Sequence, residues 1–374
     1  MALFKKSRIL LAVLGLLLVA LSGCNNFFVD DDDDGGGNSG SGTPRFAYIS
    51  NFNSGAAGSI SAFTVNSTTG ALTAITGSPF SSGVGNGPVG IGSNSGGQFV
   101  VTANEGGGVS SFQINRNTGA LAAAAGSPFA AGTTPAGIAV SPNGNFAYVS
   151  NSGASTISGY RINSANAALT SVGNAVSSPG VPGSLVVDAG NRFLYAMMGA
   201  TGTQVYRIES DGSLTSVRTV PPSPCGGASA IATDGGSRFA FVADGINSVC
   251  VYDIRASNGD FLLITNTPVA TGAQPTALAV TPGNNRLYVA NLDSDNVSAF
   301  TINTDGTLTA VSGSPFTVGD SPTSLAVDPS GKFLYVTRFG ENAVSVFTIG
   351  ASGALTEAGT TTTGLGPSGV AVTQ

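Results

Sequence analysis

The chain is 374 residues long, with 54 glycines, three cysteines, no histidine, no tryptophan and a formal net charge of −6. Only 9% of its residues are charged, so nucleic acid, whose phosphates need clustered Lys and Arg, is excluded as an expected partner. The missing histidine excludes Ser-His-Asp and Cys-His catalysis and the usual zinc sites, and no metal or cofactor is expected.

Residues 1–23 read as a signal peptide. Lys5, Lys6 and Arg8 form a positive start, Ile9 to Ala20 is an apolar core, and Leu21-Ser-Gly-Cys24 closes it. The apolar run is too short for a spanning helix. Residues 24–44 read as a tether: Asn25-Asn-Phe-Phe-Val, five aspartates from Asp30 to Asp34, then a Gly/Ser run. About twenty such residues reach on the order of 25 Å, and acid self-repulsion extends them further. A contiguous acid run lacks the spaced ligands and glycine turn of a calcium loop, so it reads as a solvated spacer. Without Lys5, Lys6 and Arg8 the net charge of −6 becomes −9.

From Arg45 to the end one unit repeats. The form Pro-x-Ser/Gly/Ala-Leu/Ile-Ala-Val starts at Pro88, Pro135, Pro182, Ala228, Pro275, Pro322 and Pro367, in steps of 47, 47, 46, 47, 47 and 45 residues. A period of this size with two-residue alternation predicts an all-β, seven-bladed β-propeller of four-stranded antiparallel blades. In each repeat the Pro-led strand, rich in small residues, is expected innermost, where blades crowd the axis. A Pro/Gly/Asn turn such as Ser141-Pro-Asn-Gly144 leads to a second strand such as Phe146-Ala-Tyr-Val-Ser-Asn151. The third strand carries one aromatic per repeat (Phe63, Phe112, Tyr160, Tyr206, Tyr252, Phe300, Phe347), read as blade packing. The fourth is expected to begin at Leu72, Leu121, Leu169, Leu214, Leu262, Leu308 and Leu355. The folded part opens on a second strand, Arg45–Asn51, and ends on a spare innermost strand, Pro367–Val372. Pairing the two completes one blade from both termini and closes the ring.

Tyr48-Ile-Ser-Asn51, Tyr148-Val-Ser-Asn151 and Tyr288-Val-Ala-Asn291 resemble the YVTN repeat of the bacterial lactonase-like seven-bladed propellers, and the resemblance covers the chain from about Arg45 onward. It implies fold far more specifically than activity. Tyr195-Ala-Met-Met198 and Tyr335-Val-Thr-Arg338 depart from the motif. The Leu-Ser-Gly-Cys ending resembles the bacterial lipobox, which implies lipidation of Cys24. Asn25 is not the aspartate that retains such lipoproteins in the inner membrane, so outer-membrane anchoring is implied.

Chemistry has to come from loops at one end of the ring, where the second strand joins the third and the fourth joins the next blade. There stand Glu105, Asp244, Asp293, Asp295, Arg338 and Glu341. Two readings stay open: scattered residues capping local backbone, or a ligand-binding cluster at the axial mouth. Acid outweighs base, which suits a neutral, sugar-like or cationic ligand better than a phosphate. Cys225 and Cys250 fall in one repeat at the same end of the ring, and an exported chain permits them to pair.

Two functions follow. The bland loops and missing histidine favour a non-enzymatic, monomeric platform at the cell envelope, binding a protein, glycan or small molecule. The family resemblance implies the alternative, a lactonase-like hydrolase related to 6-phosphogluconolactonase, with a carboxylate activating water and Arg338 stabilising the oxyanion.

Overall fold

The computed structural model of the chain describes residues 45–53, 57–94, 96–222, 225, 227–255, 257–264 and 267–373. The segments expected to be the signal peptide and the tether, with Cys24, lie outside these. Seven antiparallel sheets form a ring. Blade 1 joins Arg45–Asn51, Ala57–Val65, Leu72–Ala74 and Phe80–Gly85 to Pro367–Thr373. Blade 2 runs from Pro88–Ser93 to Leu121–Ala123, blade 3 from Pro135–Val140 to Val176–Ser177, and blade 4 from Leu185–Val187 to Leu214–Val220. Blade 5 runs from Ala230–Thr233 to Val269–Ala270, blade 6 from Pro275–Val280 to Phe316–Thr317, and blade 7 from Pro322–Val327 to Leu355–Thr362. Strands are lettered a to d from the axis outward.

Closure takes the expected form. Pro367–Thr373 is the a strand of blade 1, antiparallel to Arg45–Asn51, with Tyr48 opposite Ala371 and Ile49 opposite Val370. The a strands pack in order around the axis, and that of blade 1 fits between those of blades 7 and 2. Among the described residues the one helical element is a single 3-10 turn, Phe339–Glu341.

The aromatic of each c strand is buried, from Phe63 to Phe347. The d strand differs from expectation in blade 5. It begins at Asp260, and Phe261 rather than Leu262 takes the buried position opposite Ile254. Leu262 is 51% exposed. One residue of register turns a strand residue from one face to the other.

Three d strands are broken at Gly-Ser-Pro-Phe, where the Ser-Pro bond is cis. The break withdraws a carbonyl from the c strand. The serine hydroxyl replaces it, accepting the Ala62, Ser111 and Ala299 N–H at Ser78, Ser127 and Ser314 over 2.9, 3.0 and 2.9 Å. The orphan backbone donor is thereby satisfied.

The motif tyrosines join blades. Tyr48 donates its hydroxyl to the Gly119 carbonyl, Tyr148 to Gly212, Tyr288 to Gly353 and Tyr335 to Gly70, all at 2.9–3.0 Å. Each acceptor lies on the c–d turn of the following blade. Burial raises these phenols, Tyr288 to about 12, so they remain donors. Gly212 has φ +92°, and a Cβ there would meet the Phe146 ring at 2.1 Å. Glycine is therefore required by both backbone and contact.

The joint between blades 4 and 5 lacks this bond. Tyr195 hydroxyl and Ser184 hydroxyl are buried without a partner among the described residues. Tyr195 packs instead on Phe261, ring centroids 4.7 Å apart. A disulfide spans the same joint: Cys225, in the linker from blade 4, is bonded to Cys250 on the c strand of blade 5, with Cα atoms 6.0 Å apart. It closes a loop of 25 residues, for which the chain-entropy model gives on the order of 3 kcal/mol. Replacing both cysteines with alanine is expected to lower the melting temperature by several degrees. An unchanged melting temperature would mean that packing alone holds this joint.

Candidate functional site

Both the b–c loops and the d–a linkers lie at one end of the ring. Five blades shape this end the same way. The residue after the last b-strand residue donates its N–H to the linker carbonyl just before the a strand: Phe52 to Gly366 (2.8 Å), Glu105 to Gly87 (3.2 Å), Ser152 to Thr134 (2.9 Å), Leu292 to Gln274 (2.9 Å) and Phe339 to Ser321 (3.0 Å). The next residue repeats the bond one carbonyl earlier, as in Gly106 to Asn86 and Gly340 to Asp320. To present these carbonyls, Thr134, Gln274 and Ser321 take φ of 50°, 55° and 56° directly before proline. That conformation is costly for a non-glycine residue, above all β-branched Thr134, and such strain gathers where function fixes the backbone. In blades 4 and 5 the b–c loop residues matching Ser152 and Leu292 are Gly199 and Gly245, both left-handed, and their loops make other bonds.

The shared bonds give these residues one backbone setting, and packing places Leu292 and Phe52 toward the axis. Leu292 of blade 6 is buried in one cluster with Phe52 of blade 1 and Val89 of blade 2. Blade 7 lies between, so the cluster closes across the axis. Phe339 stands beside Phe52, both rings' residues bordering Gly366. The apolar residues therefore fall on blades 6, 7 and 1, and the same loop position holds Glu105 on blade 2, Ser152 on blade 3 and glycines on blades 4 and 5.

Just below, at the last b-strand position, stand Asn51, Asn104, Asn151, Asn291 and Arg338. Each asparagine amide donates to a c-strand serine, as Asn51 does to Ser61 (3.0 Å) and Asn151 to Ser158 (3.0 Å). Linker glycines lie against these side chains: a Cβ at Gly364 would meet Asn51 at 2.7 Å, and one at Gly319 would meet Arg338 at 2.0 Å.

The charged candidates divide. Asp244 is buried, and its Oδ1 accepts the N–H groups of Ile246, Asn247 and Ser248 while Oδ2 accepts the Ser248 hydroxyl. It is the cap of its own loop. Asp295 accepts the Ser321 N–H at 2.9 Å, holding the linker into blade 7. Asp293 is exposed one turn away. Arg338 pairs with Glu341, donates to Ser345 and Thr360, and lies 4.0 Å from Glu357. Glu341 also accepts the Asp320 N–H, and the Arg338 guanidinium with that N–H holds its carboxyl below the usual range. Asp295, Arg338 and Glu341 thus form one network around the linker 318–321, and the guanidinium is engaged within blade 7.

Glu105 stands apart, on blade 2. Its carboxylate has no hydrogen-bond or ion-pair partner among the described residues, and burial pushes its pKa up. A half-buried carboxylate without a compensating partner marks a candidate functional position. Among the described residues no group of three His, Cys, Asp or Glu could hold a metal ion. Sequence reasoning named Glu105 among its candidates and did not name Phe52, Leu292 and Phe339. Their signal is position, one residue past the motif asparagine or its replacement.

The family model of the lactonase, 7-bladed β-propeller matches residues 122–224, 203–318 and 304–374. The chain belongs to this lactonase family. No curated protein matches it in sequence. Solved structures of similar fold include a protein of Bacteroides fragilis assigned provisionally as a 6-phosphogluconolactonase, 20% identical, TM-score 0.74, covering 90% of this chain and 100% of that one. A provisionally assigned 6-phosphogluconolactonase of Bacteroides uniformis is 18% identical, TM-score 0.75, covering 89% and 100%. The periplasmic gluconolactonase of Pseudomonas aeruginosa is 19% identical, TM-score 0.72, covering 88% and 99%. At these identities the likeness is one of fold. Membership of the lactonase family favours the hydrolase reading over the non-enzymatic platform.

Proposed function

We propose that this lactonase-family propeller hydrolyses a lactone at its axial mouth, with Glu105 as general base. The observation that carries the reading is the unpaired, half-buried Glu105 carboxylate on a loop at the mouth end of the ring, in a chain of the lactonase family. Glu105 would accept a proton from water as the water oxygen bonds to the lactone carbonyl carbon. The ring C–O bond then breaks, and the proton passes to the departing alkoxide, giving the hydroxy acid. Arg338 is not assigned the oxyanion, because Glu341, Ser345 and Thr360 already hold it. The test is acid release from a panel of lactones by residues 45–374. Rates no higher than the uncatalysed reaction across the panel would refute the hydrolase and return the platform reading.

The same proposal places the protein at the cell envelope, anchored through lipidated Cys24 to the outer membrane. Arg45, where the described chain begins, pairs with Asp328 at an a–b turn, on the face opposite the mouth. A tether leaving there would turn the mouth away from the lipid. Cys24→Ser is expected to move the protein from the membrane to the soluble fraction or to block its maturation, since stable anchoring needs more than one acyl chain. Wild-type protein recovered soluble with an unmodified Cys24 thiol would overturn the anchor.

A further inference from the structure

Resting on the lactone-hydrolase reading, we infer that the mouth selects an uncharged lactone carrying an alkyl substituent, seated on Phe339 and the exposed loop tips Ile246, Leu365 and Val181, and rejects phosphorylated sugar lactones.

Two independent observations carry this. The first is the distribution of charge. A phosphate is held by Arg or Lys side chains or by aimed N–H groups. Among the described residues Arg338 is the one basic side chain on the loops of the mouth, and it is engaged by Glu341 with Glu357 near. The other described cations lie toward the opposite face. Arg45, Arg192, Arg238, Arg286 and Lys332 stand beside the a–b turns. Arg218, on an outer strand, is paired with Asp260. The mouth carries Glu105, Asp293, Asp295, Asp320 and Glu341. A phosphate dianion entering there meets like charge with no free cation.

The second observation is apolar surface. Leu292 and Phe52 are buried in one cluster beneath the mouth, and Phe339, which borders Gly366 with Phe52, is only half-buried. Above them the loop tips expose Ile246 by 64%, Leu365 by 60% and Val181 by 45%. These belong to the linkers and loops of blades 5, 7 and 3, so the apolar surface surrounds the mouth rather than marking one blade. A sugar lactone presents hydroxyls that this wall cannot bond. An alkyl chain buries against it, while the lactone carbonyl stays beside Glu105 and the open glycine side.

The experiment measures binding and hydrolysis separately. Calorimetry on Glu105→Gln, which retains the wall, compares an alkyl δ-lactone, unsubstituted δ-valerolactone and 6-phospho-glucono-δ-lactone. The alkyl lactone is expected to bind at least about tenfold more tightly than the other two, the discrimination a hydrophobic pocket gives for a few methylenes. Phe339→Ser should abolish that advantage without changing δ-valerolactone binding. Leu365→Ser with Ile246→Ser, at exposed tips, gives a second route should Phe339→Ser fail to fold, and should reduce the same advantage. Tighter binding of the phosphorylated lactone, equal binding of all three, or wall variants that weaken all three alike would overturn the inference. Alkyl-lactone binding without hydrolysis by the wild type would leave this inference standing and sink the hydrolase; hydrolysis confined to the phosphorylated lactone would do the reverse.

Discussion

Deleting Pro367 to Gln374 is expected to destroy the folded ring. The lost segment supplies the innermost strand of blade 1, and every residue of Pro367–Thr373 is buried. Val370 and Val372 leave a cluster that also holds Ile49, Phe63 and Tyr335. The Ser368 hydroxyl no longer donates to the Pro88 carbonyl at 2.7 Å, which ties blade 1 to blade 2. Two fully buried valines contribute about 1.5–3 kcal/mol each, and the ladder bonds to Arg45–Asn51 are lost with them. A loss on the order of 5–10 kcal/mol equals the whole stability of an ordinary domain. The uncovered edge from Phe46 to Ile49 would then recruit other chains. Light scattering and thermal melting of the truncated protein check this, and a synthetic peptide of residues 367–373 should restore part of the fold by strand addition. A truncated protein melting with the full one would show that the ring closes without this strand.

Glu105→Gln is expected to lower the lactone hydrolysis rate by about 10²- to 10⁴-fold, the usual contribution of a general base, while the fold survives. The pH dependence is as diagnostic as the loss. Burial raises the folded-state pKa of Glu105 above its unfolded value. The base form therefore disappears at a higher pH than for an ordinary carboxylate, and the wild-type rate should fall with acid through that raised value. Stability carries the opposite sign. A carboxyl that binds its proton more tightly when folded has no effect below its unfolded pKa. It becomes destabilising as pH rises, and fully so above the folded value. Glu105→Gln should thus leave the melting temperature at pH 7 equal or slightly higher. A rate within threefold of wild type, or a variant that no longer folds, would remove Glu105 from the chemistry.

Much of the fold was legible in the repeat. The 47-residue step, the Pro-led small-residue strand and the c-strand aromatic each report local backbone and side-chain period, and these are local properties. Leu262 was misplaced because blade 5 has Phe261 in the buried slot, and adjacent apolar residues leave the face ambiguous. The function of the motif tyrosine was not legible: its acceptor is a carbonyl on the next blade, Gly212 for Tyr148, 64 residues away.

The site divides along the same line. Composition by itself determined that this protein has no histidine chemistry and little cationic surface, and the repeat determined that its loops meet at one mouth. Only the tertiary structure decided which charges are free. Asp244 and Arg338 look as available in the chain as Glu105, yet one caps its own loop and the other is held by Glu341 and by groups on the neighbouring c and d strands. Leu292 likewise joins Phe52 and Val89 in one buried cluster only because ring closure brings blade 6 near blades 1 and 2. Residue type and spacing are set along the chain, whereas pairing, desolvation and contact across an axis exist only once distant strands close on one another.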